Sequence, residues 1–316
     1  GHVFVMKPMN CPHHTQIYNR KQWSYKELPQ RYAETTKVYR DEQTGELGGL
    51  SRVRSITQDD AHVFCRISQA KEEIQKIWKI VHTFYGTFNF PLKLRLSLRD
   101  PKHPEKYLGD KTHWDRAEQV LKEVVAENHT EYYEGVGEAA FYAPKLDFIA
   151  KDSIGREWQV ATIQLDVNMP DRFDLYCINE KGGQERIVMI HAAIMGAIER
   201  FLAVLIEHTG GAFPLWLSPI QVKIIPVRTS HNEYAKQIFE LLKEQNIRAE
   251  LDDADLNLGT KVRSAKNNKM PYWIVIGDKE IEAGKVTLES RDHGQLGQIT
   301  KEELVKKFLE EIKNKK

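Results

Sequence analysis

Apolar residues recur at spacings of three and four over positions 69–85 and 114–127, which predicts one amphipathic helix in each window. Between and after them the rhythm changes. Positions 92–98 and 145–150 alternate apolar with polar side chains, the period of a strand with one covered face. Strand-rich segments separated by single helices predict an α+β first half, an antiparallel sheet flanked by helices. The most apolar stretch, 187–206, is interrupted by His191, Glu199 and Arg200, so it predicts a buried helix and not a membrane span.

A new pattern begins where that stretch ends, between Pro214 and Pro219. The expected division is therefore 1–214 and 215–316. In the second part, 222–227 predicts a strand, Ser230 caps a helix bearing Ala235, Ile238, Leu241 and Leu242, and 247–251 predicts a second strand. Asn257 opens another helix, 272–276 and 286–290 predict further strands, and Thr300 with Glu303 forms a capping box ahead of Leu304, Phe308 and Ile312. Alternation on this scale predicts an α/β module of roughly 100 residues.

Charge narrows the choice only a little. With 46 Lys plus Arg against 45 Asp plus Glu, the chain lacks the basic footprint of a nucleic-acid binder, so RNA binding has to rest on motifs. Cys11, Cys65 and Cys177 are too few and too widely spaced for a disulfide framework, which favours a reducing compartment, the cytoplasm. The opening Gly1-His2-Val3 has neither an initiator Met nor a leader pattern, as expected of a segment cut from something longer.

Three features could carry chemistry. Met9-Asn-Cys-Pro-His-His14 places a thiol and two imidazoles within four positions, a donor set suited to zinc, although isolated Cys and His are more often ordinary core or surface residues. Cys11, His62 and His191 together would make a Cys-His-His set with an open fourth position, but separations this long lie beyond any spacing rule. The third is arginine. Tyr39-Arg-Asp-Glu42 and Ser51-Arg-Val-Arg54 read as two strands joined by a glycine-bearing loop, and Arg200 sits in an apolar stretch where a guanidinium is costly without an anionic partner.

The strings Lys7-Pro-Met-Asn-Cys-Pro12, Ser51-Arg-Val-Arg54, Thr57-Gln-Asp-Asp-Ala-His-Val-Phe-Cys65, Gly137-Glu-Ala-Ala-Phe-Tyr142, Thr162-Ile-Gln-Leu-Asp166 and Glu199-Arg-Phe201 resemble, in order, the bacterial threonyl-tRNA synthetases. The resemblance runs from about Val5 to the C-terminus. It implies a class II synthetase catalytic domain followed by an anticodon-binding domain, in the cytoplasm, with threonine, ATP and tRNA(Thr) as partners and no role for DNA or membrane. Family members are homodimers. The resemblance also implies one Zn2+ per chain on Cys11, His62 and His191, and Mg2+ with ATP. Arg40 and Arg200 would hold ATP phosphates, Glu42 the adenine amino group, and Ile56 would lie where an aromatic usually stacks on adenine. Gln58, Asp60, Tyr142, Thr162 and Gln164 would line the amino-acid pocket, and Lys145 would meet charge developing on the α-phosphate.

Several positions depart from the family pattern. Ala143 and Ala161 replace expected glycines, so their methyls are expected to narrow the pocket; Ala192 stands for an arginine, and Glu289 for an arginine that contacts the anticodon. The family's motif 1, which builds much of the dimer interface, precedes Gly1. These departures motivate a rival reading, a synthetase-derived paralog that binds threonine or RNA without completing aminoacylation. A zinc hydrolase is a remote third, because no HExxH-like carboxylate motif accompanies the candidate ligands.

Overall fold

The computed structural model describes residues 1–315, which divide into two units between His208 and Thr209. That division lies a few residues ahead of Pro214, where helix geometry gives way to Gly210 and Gly211, both at positive φ. Among the described residues no helix is long and apolar enough to cross a membrane.

The first unit runs α1 (Cys11–Tyr18), β1 (Trp23–Ser24), β2 (Gln30–Tyr39), β3 (Ser55–Cys65), α2 (Ile67–Thr87), β4 (Leu92–Leu98), α3 (Lys111–Glu127) and β5 (Tyr132–Val136). It continues with β6 (Lys145–Lys151), β7 (Glu157–Asp166), α4 (Met169–Arg172), β8 (Tyr176–Ile178), β9 (Gln184–Arg186), β10 (Val188–Ala193) and α5 (Ile198–Thr209). Seven strands form one sheet in the order β2-β3-β10-β7-β6-β4-β5, antiparallel except for the β4–β5 pair. Strand alternation gives this sheet two unlike faces. Leu94, Leu96, Leu146, Phe148, Ile163 and Ile190 are buried, and Trp78 of α2 meets Phe148 edge-on. The apolar stripe of α2 (Ala70, Ile74, Ile77, Trp78, Val81, Tyr85) and that of α3 (Trp114, Ala117, Leu121, Val124, Val125) supply the facing surface. The opposite face carries the polar residues of the site.

The apolar stretch over 187–206 is not one helix. It is strand β10, a loop with Gly196 at φ +66°, and then α5. A fully buried strand and a buried helix look alike as apolar runs, and the glycine is what cuts this one. The arginine-bearing hairpin exists, but its arms lie outside the predicted ones: β2 ends at Tyr39 and β3 starts at Ser55. Arg40, Glu42, Arg52 and Arg54 therefore occupy the connecting loop.

Between β6 and β7 the turn is organised by Asp152, whose carboxylate accepts from Trp158 Nε1 (2.9 Å), Arg156 Nε (2.6 Å) and two backbone amides. Burial pushes its pKa up, but these donors outweigh it and hold the group below the ordinary 3.8, at about 2. A depressed folded-state pKa contributes stability that is present above 3.8 and lost as pH falls towards 2. Asp152→Asn is expected to lower the denaturation midpoint at pH 7, with the gap from wild type closing over that acid window; urea titrations across pH check it.

The second unit runs β11 (Val222–Pro226), α6 (Asn232–Glu244), β12 (Ala249–Leu251), α7 (Leu258–Asn267), β13 (Tyr272–Ile276), α8 (Asp278–Ala283), β14 (Val286–Ser290), β15 (Gly294–Ile299) and α9 (Lys301–Lys313). Its sheet order is β12-β11-β13-β14-β15, parallel over the first three strands and antiparallel beyond. Val222, Ile224, Ile238, Leu242, Ile274, Leu288, Leu304 and Phe308 form its core. Asn257 and Thr300 cap α7 and α9 through side-chain oxygens. Ser230 does not cap α6; it lies in the 3-10 turn Thr229–His231, one residue short of the helix. Strand β15 was hidden from pattern reading because Gly294 and Gly297, both at positive φ, resemble a turn.

Candidate active site and metal centre

Register places most of the candidate residues in line. Tyr32 on β2 pairs with His62 on β3, His62 with His191 on β10, His191 with Gln164 on β7, Gln164 with Lys145 on β6, and Lys145 with Ser97 on β4. Two residues away along the strands, on the same face, lie Thr162, Asp147 and Arg95, again in register. Ile56, Gln58, Asp60 and His62 share parity on β3, so they project from the same face. Tyr142, just before β6, donates from Oη to Gln164 Oε1 at 2.5 Å and packs its ring 5.3 Å from that of His191.

Cys11 enters from elsewhere. It is the first residue of α1, whose buried residues His14, Thr15 and Tyr18 turn the helix onto the sheet. Ligand atoms of Cys11, His62 and His191 lie within 4.8 Å of one another, with His62 Nε2 3.0 Å from His191 Nδ1. Each imidazole has a partner on its far side: His191 Nε2 is 2.9 Å from Asp166 Oδ2, and His62 Nδ1 is 2.7 Å from His14 Nδ1. Asp166 is itself held by the amides of Asn168 and Met169, both at 2.8 Å. Bare sites of this kind are unfavourable. Burial, then the charge of Asp60, push the Cys11 thiol up to about 12, while burial and the other two imidazoles hold His62 well below its ordinary value. A thiol and two neutral imidazoles, oriented by outer partners, fit a borderline-soft divalent ion, whose charge would reverse the penalty on the thiolate. Asp60, 8% exposed, is raised to about 6, chiefly by burial.

The arginines converge separately. Arg200, in the first turn of α5, donates Nε to the Ser51 carbonyl at 2.9 Å. Burial first, then the charge of Arg52, lower its pKa. Among the described residues neither Arg200 nor Arg40 forms an ion pair with a carboxylate. Arg200 thus leaves a half-buried positive charge, with the exposed Arg40 nearby, to be met by an anionic ligand. Glu42 is less free, because its carboxylate accepts from Arg52 Nε at 2.9 Å.

Asp147 was not singled out by sequence reasoning, yet it organises the other end of the row. Fully buried, it accepts from Ser97 Oγ (2.7 Å), Arg95 Nη2 (3.0 Å), Gln159 Nε2 (2.9 Å) and Thr162 Oγ1 (2.9 Å), and pairs with Lys145 Nζ at 3.0 Å. Asp147→Ala is expected to cost about 3–5 kcal/mol, because it takes the carboxylate from Lys145 and leaves the Ser97, Gln159 and Thr162 donors without their acceptor; equilibrium urea denaturation measures this. Asp166 and Glu34 were likewise missed as participants, while His14, marked as a possible zinc donor, instead lies outside the three-ligand cluster against His62. Strand parity with Thr162 and Gln164 could have found Asp166.

The expected narrowing does not hold for Ala161, and Ala192, which stands for an arginine, is likewise turned from the site. Ala161 pairs with Phe148, which faces α2, and Ala192 is out of phase with His191, so both methyls enter the packed face. Ala143 is fully buried in the turn before β6.

The first unit is thus a largely antiparallel sheet that displays a polar row bearing the thiol–imidazole cluster, with arginines gathered in the β2–β3 loop and at the start of α5, and a second α/β unit follows it. The chain belongs to the tRNA synthetase class II core family (G, H, P, S and T), matched over residues 1–209, and an anticodon-binding domain is matched over residues 221–311. Within that class the relatives are specific. A threonine–tRNA ligase of Cytophaga hutchinsonii is 45% identical over 99% of this chain, and one of Bacteroides thetaiotaomicron is 47% identical over 99%. This chain covers 48% and 49% of those proteins, so it spans about half the length of the curated relatives it matches. Among solved structures, the RNA-binding domain of threonyl-tRNA synthetase from Cryptosporidium parvum superposes with a TM-score of 0.90 at 36% identity, covering 96% of this chain and 76% of that one.

Proposed function

We propose that this chain is the catalytic and anticodon-binding part of a threonine–tRNA ligase, which activates threonine with ATP and Mg2+ and passes the acyl group to tRNA(Thr). The observation that carries the threonine assignment is the meeting of Cys11, His62 and His191 around one point beside Asp60, Gln164 and Tyr142. When bound there, a zinc ion would supply a Lewis-acid contact for the amino and hydroxyl groups of an amino alcohol. That chemistry separates threonine from valine, which lacks the hydroxyl, far better than shape could.

The side chains divide the remaining work. Asp60, beside His62, accepts the hydrogen bond of the substrate hydroxyl. Tyr142 and Gln164, already bonded to each other, hold the amino acid's orientation, with Gln58 and Thr162 beside them. Arg40 and Arg200 bind the triphosphate, Glu42 and Ile56 meet the adenine, and Lys145 stabilises charge building on the α-phosphate. The second unit binds the anticodon, with Glu289 on β14 set between Trp273 and Gln295.

Near-half identity to ligases over almost the whole chain favours this reading over a non-catalytic paralog. ATP–pyrophosphate exchange tests it: exchange is expected with threonine, weakly with serine, and not with valine. A threonine-induced melting shift without exchange would support the paralog instead.

A further inference from the structure

We propose that Glu34 and His14 form an outer relay that selects the ion-binding tautomer of His62. The inference rests on the metal centre proposed above and concerns how the protein prepares it. His14 is buried, while Glu34 on β2 has 42% of its side chain exposed. His14 Nδ1 lies 2.7 Å from His62 Nδ1, and its Nε2 lies 3.3 Å from Glu34 Oε1 and 3.4 Å from Asn10 Nδ2. Lys7 Nζ donates to Asn10 Oδ1 at 2.9 Å, which fixes the amide with its nitrogen towards Glu34.

The proton positions follow from which groups can only accept. The Asp166 carboxylate takes a proton-bearing Nε2 from His191, so His191 turns a bare Nδ1 towards His62 Nε2, 3.0 Å away. Two arrangements satisfy the rest. In the first, His14 accepts from Asn10 on Nε2 and donates from Nδ1 to His62, leaving the His62 proton on Nε2; that proton bonds to His191 and the pair is closed. In the second, His14 donates from Nε2 to Glu34 and accepts on Nδ1 from His62. His62 Nε2 is then bare, and two lone pairs face each other at 3.0 Å beside the Cys11 sulfur. Such a pair repels unless a cation lies between them. Glu34, an acceptor at the far end, favours the second arrangement; without it only the closed one has a complete set of partners. His14 and Glu34 are thus positioning residues.

The test is metal affinity, read by competition with a chromophoric chelator for Zn2+ and by the visible spectrum of the Co2+-loaded chain. Glu34→Leu and His14→Phe are each expected to weaken binding about 10–100-fold, while Glu34→Gln, which keeps an acceptor oxygen, stays within a few-fold of wild type. Glu34 is exposed enough for its variants to fold, and thermal melts verify this. Unchanged affinity and an unchanged Co2+ spectrum in folded Glu34→Leu would overturn the relay. A wild-type chain that takes up no ion overturns the centre itself and the relay with it, so the two failures are distinguishable.

Discussion

Cys11→Ala and His191→Ala are each expected to reduce threonine-dependent ATP–pyrophosphate exchange by more than about a hundred-fold, and to leave the chain without bound zinc. The magnitude follows from comparison: loss of an outer partner of a metal ligand typically costs about 10–100-fold, so loss of a ligand exceeds that. Each substitution removes one of three protein donors and leaves the others, which are costly to keep buried, with nothing to coordinate; His62 is 1% exposed and His191 7%. Chelation of the wild-type chain is expected to give the same loss, reversed by adding zinc. Metal analysis alongside exchange decides the matter: full exchange from a chain shown to hold no ion removes zinc from the mechanism, and with it the physical basis for choosing threonine.

Arg200→Ala carries the second large expectation. Exchange should fall by about 10²–10³, the loss seen when one preorganised donor to developing charge is removed, or about 2.7–4 kcal/mol in the transition state. The folded chain should lose little stability, because the guanidinium is half-buried, crowded by the charges of Arg52 and Arg40, and among the described residues bonded only to the Ser51 carbonyl through Nε. The variant removes an unfavourable charge along with a useful one. Arg200→Lys is expected to recover only part of the rate, since a point charge cannot reproduce the planar fork. Steady-state exchange and urea denaturation, measured on the same preparations, separate the two effects. A large fall in stability with an unchanged rate would assign Arg200 to packing.

Helices α2 and α3, strands β4 and β6, and the capped helices α7 and α9 were legible because their apolar positions keep one period and their ends carry cap residues. The stretch over 187–206 was not, because residues buried on both sides lose the polar phase that distinguishes strand from helix. The candidate site shows the same division. Residue types and local motifs marked Cys11, His62, His191, Arg40 and Arg200 as unusual, and the family resemblance supplied their expected roles. Local pattern offered nothing to mark Asp147, since a buried carboxylate on a strand announces itself only through its donors.

Sequence alone determined the chemical inventory: a thiol and imidazoles of metal-binding type, a guanidinium in an apolar stretch, two modules, and helices and strands of defined period. These depend on residues close together in the chain, where spacing is geometry. Tertiary structure decided which of them meet. Strand register sets His62 beside His191, Gln164 and Lys145 across three pairings, and the packing of α1 brings Cys11 to them from far along the chain. Hydrogen bonding between non-adjacent strands and burial of a helix face are cooperative, long-range choices, and a one-residue slip in any pairing would turn a candidate ligand to the opposite face.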